Sequence, residues 1–428
     1  MEKTLRHNLS PRGLWMLVFA IQCILVMSVV PWRQGVLYGG GVDPVVLAKA
    51  AIGTLAFGSA MALFLTAKAR GRVGMRSLSL LSLIVAIALL GAFANGSPVA
   101  AVVLSVRIAL IAATVVLIVV SVPQRVVLIT LLAALGVVAT AAAITGAAKG
   151  LSLGRLGGGL PDMAPNVLAG LAAAPAIGLA ADIAGRGVRL WNSAAFAAMF
   201  AIVFATQSRT TLIVLVLGVV LAFLCTRRLT TSAAMLTIAT LPLSYLLLAF
   251  TDIVPRILGR GQSVQELSTF SSRTVAWDAV LATPFDSWAK WIGVGLAAKT
   301  VPVQQRWRDE QVLDSSWVSV LAQAGLIGTA LLGIWIVFST AEGLRQSSLK
   351  PIALPLLVML LIRSFTESGL VDSSATFLIF LTVSLLLEPG TRVPHEAMLP
   401  APYQLAAPLP IAKRDRAMAT AATRPHLP

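Results

Sequence analysis

Apolar residues run along this chain in long stretches separated by short polar breaks. Twelve of these stretches predict membrane-spanning helices: Leu14–Pro31, Pro44–Thr66, Ser77–Ala94, Val99–Ser121, Val126–Ala147, Ala164–Ala184, Trp191–Thr206, Arg209–Cys225, Thr231–Phe250, Ser315–Phe338, Pro351–Glu367 and Asp372–Leu387. Most reach the roughly 17–25 residues needed to cross the hydrocarbon core, and Gly, Pro and small residues between them supply turns. The break at Gln207-Ser208 is the shortest. Without it, Trp191–Cys225 would form a helix about 50 Å long, too long for one crossing without severe tilt. The first stretch is too long for a signal-peptide core and no small-residue cleavage site follows it, so it is kept as a span.

One segment breaks the pattern. From Thr251 to Leu313 the chain cannot lie in lipid. It carries Arg256, Arg260, Arg273, Lys290, Lys299, Arg306 and Arg308 among Asp252, Glu266, Asp278, Asp286, Asp309 and Glu310. Polar chemistry needs polar side chains, and here they are concentrated. The pattern therefore divides the chain into an amino-terminal tail (1–13), nine spans (14–250), a catalytic or binding loop (251–314), three spans (315–387) and a carboxyl tail (388–428). The tail is rich in Pro, Ala and basic residues, cannot bury a core, and reads as disordered.

Composition agrees: 57% of residues are hydrophobic and 12% charged, against about 25% charged in a soluble domain. The expected class is an all-α, polytopic membrane protein. The net charge of +16 does not indicate nucleic acid, because the cations form short clusters between apolar runs and no basic stripe interleaves with aromatics. The clusters Lys3/Arg6/Arg12, Lys68/Arg70/Arg72/Arg76, Arg125, Arg186/Arg189, Arg227/Arg228, Arg345/Lys350 and those of the carboxyl tail share one side if there are twelve spans. By the positive-inside rule both termini are cytoplasmic and the 251–314 loop is external. Cys23 and Cys225 lie in apolar runs and imply no disulfide framework. His7, His395 and His426 all fall in the cytoplasmic tails, so an external site would rely on carboxylates or on the substrate itself. No cluster with zinc spacing and no phosphate-cradling loop is present in the sequence.

Individual charges stand out against the apolar background. Arg107 lies near the middle of the fourth span, where a central Arg costs about 2.5–3.5 kcal/mol on insertion scales; it reads either as a substrate contact or as a structural donor to backbone carbonyls. Arg209 opens the eighth span. Arg363 and Glu367 have the i, i+4 spacing of an ion pair, and Asp372 is placed to cap the last span. Arg155, Arg209 and Arg273 all face outside in this topology. Guanidinium groups fork onto phosphate oxygens, so an external arginine cluster suits a lipid-linked phosphate or pyrophosphate. The glycine-rich stretch Gly154–Asn166 reads as a loop, with close backbone approach to a ligand as the alternative. Asp314, just before the tenth span, reads equally as a helix cap and as a functional carboxylate.

Four segments in order give the chain a resemblance to the O-antigen ligase and polymerase superfamily of bacterial polysaccharide assembly. They are Arg155-Leu156-Gly157 with Pro165-Asn166-Val167-Leu168-Ala169; Ser208-Arg209-Thr210; Ser272-Arg273-Thr274-Val275-Ala276-Trp277 with Gly293-Val294-Gly295; and Asp314-Ser315-Ser316-Trp317 leading to Gly325-Leu326-Ile327-Gly328. The resemblance implies an inner-membrane glycosyltransferase active on the periplasmic side, which takes a glycan from undecaprenyl pyrophosphate without metal or other cofactor. Its partners would be the lipid-linked glycan, a flippase, a chain-length regulator and the bilayer. Arg209, Arg273 and Asp314 would be catalytic, and Arg155, Asn166, Trp277, Trp317 and Arg107 would bind substrate. Ligases of the family carry a histidine where this chain has Asp314. That departure favours a surface or exopolysaccharide polymerase over a lipid A–core ligase. From the residues alone, a transporter or flippase of a polar or lipid-linked solute is the rival. It accounts for Arg107 but not for the gathering of charge in one loop.

Overall fold

A computed structural model describes residues 11–34, 43–67, 70–95, 98–226, 229–235, 273–305, 308–346 and 348–391. Its helices are α1 (Pro11–Val29), α2 (Pro44–Thr66), α3 (Arg76–Ala94), α4 (Pro98–Ser121), α5 (Gln124–Leu153), α6 (Pro165–Arg186), α7 (Leu190–Ala205), α8 (Arg209–Cys225), α9 (Arg273–Leu281), α10 (Trp288–Ile292), α11 (Ser316–Arg345), α12 (Lys350–Ser364) and α13 (Ala375–Leu387). Strands β1 (Thr300–Gln305) and β2 (Arg308–Val312) pair antiparallel between α10 and α11. Among the described residues the fold is all-α apart from this hairpin, which the apolar pattern did not announce. Among the described residues seven helices (α1 to α6 and α11) are long and apolar enough to cross a membrane; α7, α8 and α13 are shorter apolar helices. Eleven of the twelve expected spans correspond to helices. The ninth, Thr231–Phe250, lies outside the described residues beyond position 235, as do 251–272 and the tail from 392.

The helices form for the reason the sequence suggested. In an apolar surrounding every backbone polar group has to be paired within the segment. Proline opens α2, α4 and α6, where its missing N–H costs nothing. Polar residues inside the spans turn back on their own helix: Ser105 Oγ donates to Ala101 O (2.8 Å) and Thr130 Oγ1 to Val126 O. Gln22 Nε2 instead reaches across to Val127 O (3.0 Å), tying α1 to α5.

At the centre stands α13, buried from Phe377 to Leu387. It touches α3, α4, α5, α11 and α12, with Trp335 and Phe380 in ring contact at 4.7 Å. Lipid-facing positions on the outer helices, such as Leu55, Leu90 and Leu224, are exposed.

The connections gather at two ends of the bundle. Arg76, Arg186 and Arg345 mark one end, where Arg186 pairs with Asp182 and Glu388 accepts from the backbone N–H groups of Arg76 and Ser77. The other end holds the 154–165 loop, the α7–α8 turn, the 282–315 segment and the α12–α13 turn. The break at Gln207-Ser208 is real: α7 ends at Ala205, α8 starts at Arg209, and Gln207 takes a left-handed φ of 53° to reverse the chain. With this turn, Arg345 and Glu388 fall at the end that Arg76 and Arg186 mark, and the 282–315 segment falls at the other.

α11 is itself broken at Gly325 (φ 66°). Into the break fits the backbone of Gly293-Val294-Gly295. Val294 N donates to Ala322 O (2.8 Å) and Gly295 N to Gln323 O (3.0 Å). A methyl on Gly293 would lie 2.3 Å from the Gln323 carbonyl carbon, and one on Gly325 would lie 2.2 Å from the Trp291 carbonyl. The glycines of the third and fourth motifs are thus the two faces of one backbone-to-backbone junction.

Candidate functional site

The site is built where α5, α6, α7, α8 and α12 meet at the loop end. Gly154 terminates α5 in the left-handed region (φ 69°) and sends Arg155 towards the α7–α8 turn. There Leu156 N donates to Ala205 O (3.0 Å) and Gln207 Nε2 to Gly154 O (2.7 Å). Arg155 Nε reaches Thr206 O at 3.3 Å, and its Nη2 reaches Asn166 Oδ1 at 3.4 Å. Asn166, in the first turn of α6, also accepts at its backbone carbonyl from Arg363 Nη2 (3.0 Å). Arg363 is buried, and Gly170 makes room for it: a methyl there would sit 1.6 Å from the guanidinium. The expected Arg363–Glu367 pair is therefore only part of the account, since the guanidinium is spent on bridging α12 to α6.

Arg209 is the first residue of α8, next to this group. Its Nε and Nη2 are closed off from solvent and meet no hydrogen-bond acceptor among the described residues. Ser208, the N-cap residue, turns its hydroxyl to Thr211 Oγ1 (3.0 Å) and makes no side-chain cap. The first N–H groups of α8 therefore lack a capping acceptor from Ser208, and the positive end of the helix dipole adds to the guanidinium. Burial, and then the positive charge of Arg209, push the Arg155 pKa below its ordinary value. Cations crowded this way, with donors left unmade, favour an incoming oxyanion.

The other expected residues are placed as follows. Arg273 begins α9, which carries half-buried Trp277. Ala276 and Val280 of α9 pack with Leu313, so α9 is fixed beside the residue that precedes Asp314. Asp314 itself is half-buried and stands one position before Ser315, the N-cap residue of α11; the cap position expected for Asp314 belongs to its neighbour. Trp317 donates its indole N–H to Ser364 Oγ (2.9 Å) and stacks on Phe365, a contact that joins α11 to α12. Arg107 is not part of the arginine group. Its Nη2 lies 3.5 Å from Ser28 O on α1, which is the structural donation to a backbone carbonyl.

One expectation is corrected, and the glycine-rich stretch is the loop that was expected. Asp372 does not cap the last helix: Ser374 does, accepting from Phe377 N at 3.1 Å. Asp372 instead holds Lys299 Nζ at 2.7 Å. Burial alone would raise its carboxyl pKa, but Lys299, the Ser373 N–H and the charge of Arg107 bring it below the usual carboxylate range. The glycine run of 157–159 folds onto α5. Gly159 N donates to Ala142 O (3.0 Å), and a methyl on Gly146 would lie 2.1 Å from Gly157 O. These glycines serve close approach within the chain.

Residues 194–333 match the family model described as O-antigen ligase. The match contains three of the four segments that carry the resemblance; Arg155–Ala169 precedes it. No curated protein matches the chain.

Proposed function

Taking as premise that residues 194–333 are an O-antigen ligase superfamily domain, we propose that the protein is a glycosyltransferase of surface polysaccharide assembly. Its donor is a glycan on undecaprenyl pyrophosphate, its acceptor a sugar hydroxyl, and it acts as a polymerase in the inner membrane with the loop end in the periplasm. The observation that carries this reading is that Nε and Nη2 of Arg209, at the start of α8 beside Arg155, are buried and meet no acceptor among the described residues.

In the reaction an acceptor hydroxyl oxygen attacks the anomeric carbon of the donor. The bond from that carbon to the pyrophosphate oxygen breaks, and its electron pair leaves with the lipid pyrophosphate. Arg209, supported by Arg155 and joined by Arg273 from the loop, binds the pyrophosphate and stabilises the charge that develops on it. Asp314 takes the proton of the acceptor hydroxyl. Arg363 and Asn166 hold Arg155 in place and act through it. The transfer as written uses no metal or cofactor.

The transporter reading would use broken helices as its binding site. The break in α11 is filled by the chain's own Gly293–Gly295 backbone.

The test is a deletion strain complemented with Arg209→Ala or Arg209→Lys. Arg209→Ala should reach the membrane at normal level, make no polymer and accumulate lipid-linked donor. Lys should restore little, because it lacks the bidentate fork. A lipid core that still carries single repeat units marks a polymerase, and a bare core marks the ligase alternative. Normal polymer from Arg209→Ala removes the clamp.

A further inference from the structure

A second group of charges lies outside the arginine cluster. On α2, Lys49 stands one helical turn nearer the loop end than Gly53. Gly53 faces α4 and α1: a methyl on it would lie 3.3 Å from Leu110 Cδ2 and 3.9 Å from Ser28 Cβ. On α4, Arg107 stands one turn nearer the loop end than Leu110. Helical periodicity therefore sets Lys49 and Arg107 on facing surfaces of α2 and α4, and Arg107 reaches Ser28 O on the third helix of the group. The charges of Lys49, Arg107 and Asp372 act on one another.

Lys299 completes the set through its 2.7 Å bond to Asp372, with only 14% of its side chain exposed. Three cations thus share one carboxylate, and that carboxylate is already bonded to Lys299. Lys49 makes no hydrogen bond or ion pair among the described residues. Facing cations in a half-buried setting repel, so an added anion is favoured there. The group also adjoins the proposed acceptor carboxylate. Lys299 O accepts from Leu313 N at 3.0 Å, and Asp314 follows directly.

We propose that Lys49, Arg107 and Lys299 form a second oxyanion subsite, separate from the Arg155–Arg209 pair, which takes a carboxylate or phosphate group borne by the acceptor sugar. It rests on the glycosyl-transfer reading for the identity of the acceptor, and the anion-binding property itself does not. The consequence is selectivity for an acidic acceptor glycan: the subsite holds the charged substituent while the hydroxyl is presented to Asp314.

The full chain, reconstituted in phosphatidylcholine nanodiscs, is titrated with glucuronate, glucose 6-phosphate and glucose, with the thermal unfolding midpoint as readout. At least one of the two anions should raise the midpoint saturably, and glucose should not. Protection by glucuronate alone assigns a carboxylate, by glucose 6-phosphate alone a phosphate, and by both an unselective oxyanion site. Lys49→Met should weaken the apparent affinity at least tenfold, and Lys49→Arg should retain it. Lys49→Gln serves as the second neutral variant if Lys49→Met does not fold. Arg209→Ala should keep the protection even while it abolishes polymer, which separates this subsite from the donor clamp. Equal protection by glucose, protection that survives both neutral variants, or protection lost in Arg209→Ala would each overturn the proposal.

Discussion

Substituting Gly293 by alanine should unseat the whole loop segment. Three costs add. The residue sits at φ 74°, a left-handed conformation that costs an L-residue about 1–2 kcal/mol. The new methyl would lie 2.3 Å from the Gln323 carbonyl carbon and 2.4 Å from Ala324 N. Both are backbone atoms, so no side-chain rotation relieves the overlap and the junction has to open. Opening lengthens the bonds from Val294 N to Ala322 O and from Gly295 N to Gln323 O, and each buried group left unpaired costs about 1–3 kcal/mol. The total is about 3–8 kcal/mol, comparable with the roughly 5–15 kcal/mol that holds a typical domain folded. The assay is thermal unfolding of the purified full chain in detergent, followed by tryptophan fluorescence. Gly58→Ala is the control: nothing lies within 4 Å of a methyl there, and mid-helix Gly to Ala should gain about 0.5–1 kcal/mol. Gly293→Ala should unfold many degrees below the wild type while Gly58→Ala matches or exceeds it. If the two variants melt together, the junction does not carry the load assigned to it.

Other outcomes follow from single residues. If Asp314 is the acceptor base, Asp314→Asn should make no polymer at normal membrane level; full activity in that variant would remove it from the mechanism. A reporter active only in the periplasm should be active when fused after Gln262 and silent after Arg228, and the reverse would invert the topology. The Asp372 carboxyl has a folded pKa below its unfolded value of about 3.9. Its stabilising contribution is therefore present above that unfolded value and lost as pH falls through the lower folded one. Lys299→Met removes the main depressing charge, so the melting temperature near neutral pH should fall and its acid decline should flatten; an unchanged profile would sever Lys299 from Asp372.

Much of this was legible in the chain because apolar runs are long and the bilayer demands helices. Helix length alone justified the Gln207-Ser208 break, and the charge clusters then fixed which connections share an end. Arg155 and Arg209 were legible because few cations stand at the span ends opposite the charge clusters. Other features were not. Lys49 carries no signal in the sequence, since its meaning lies in facing Arg107 across α2 and α4, a tertiary relation with no local signature. Asp372 was read as a cap because Asp caps well, but Ser374 does the same two residues on and leaves the carboxylate for Lys299. The Gly-x-Gly and Gly-Leu-Ile-Gly segments were recognisable as motifs, while their mutual contact was not, because sequence spacing cannot report two backbones meeting.

The shortness of α13 has a bearing on how far charge has to travel. Its 13 residues begin beside the α12–α13 turn and end at Glu388, which is bonded to the start of the 19-residue α3. At about 1.5 Å per residue the central helix stops roughly 9 Å short of the height α3 attains. The α12–α13 turn therefore stands lower than the far end of α3, and Asp372 in that turn keeps 29% of its side chain open. Under the proposed function, an acceptor glycan would reach Asp372 and Lys299 only below the level at which α3 ends.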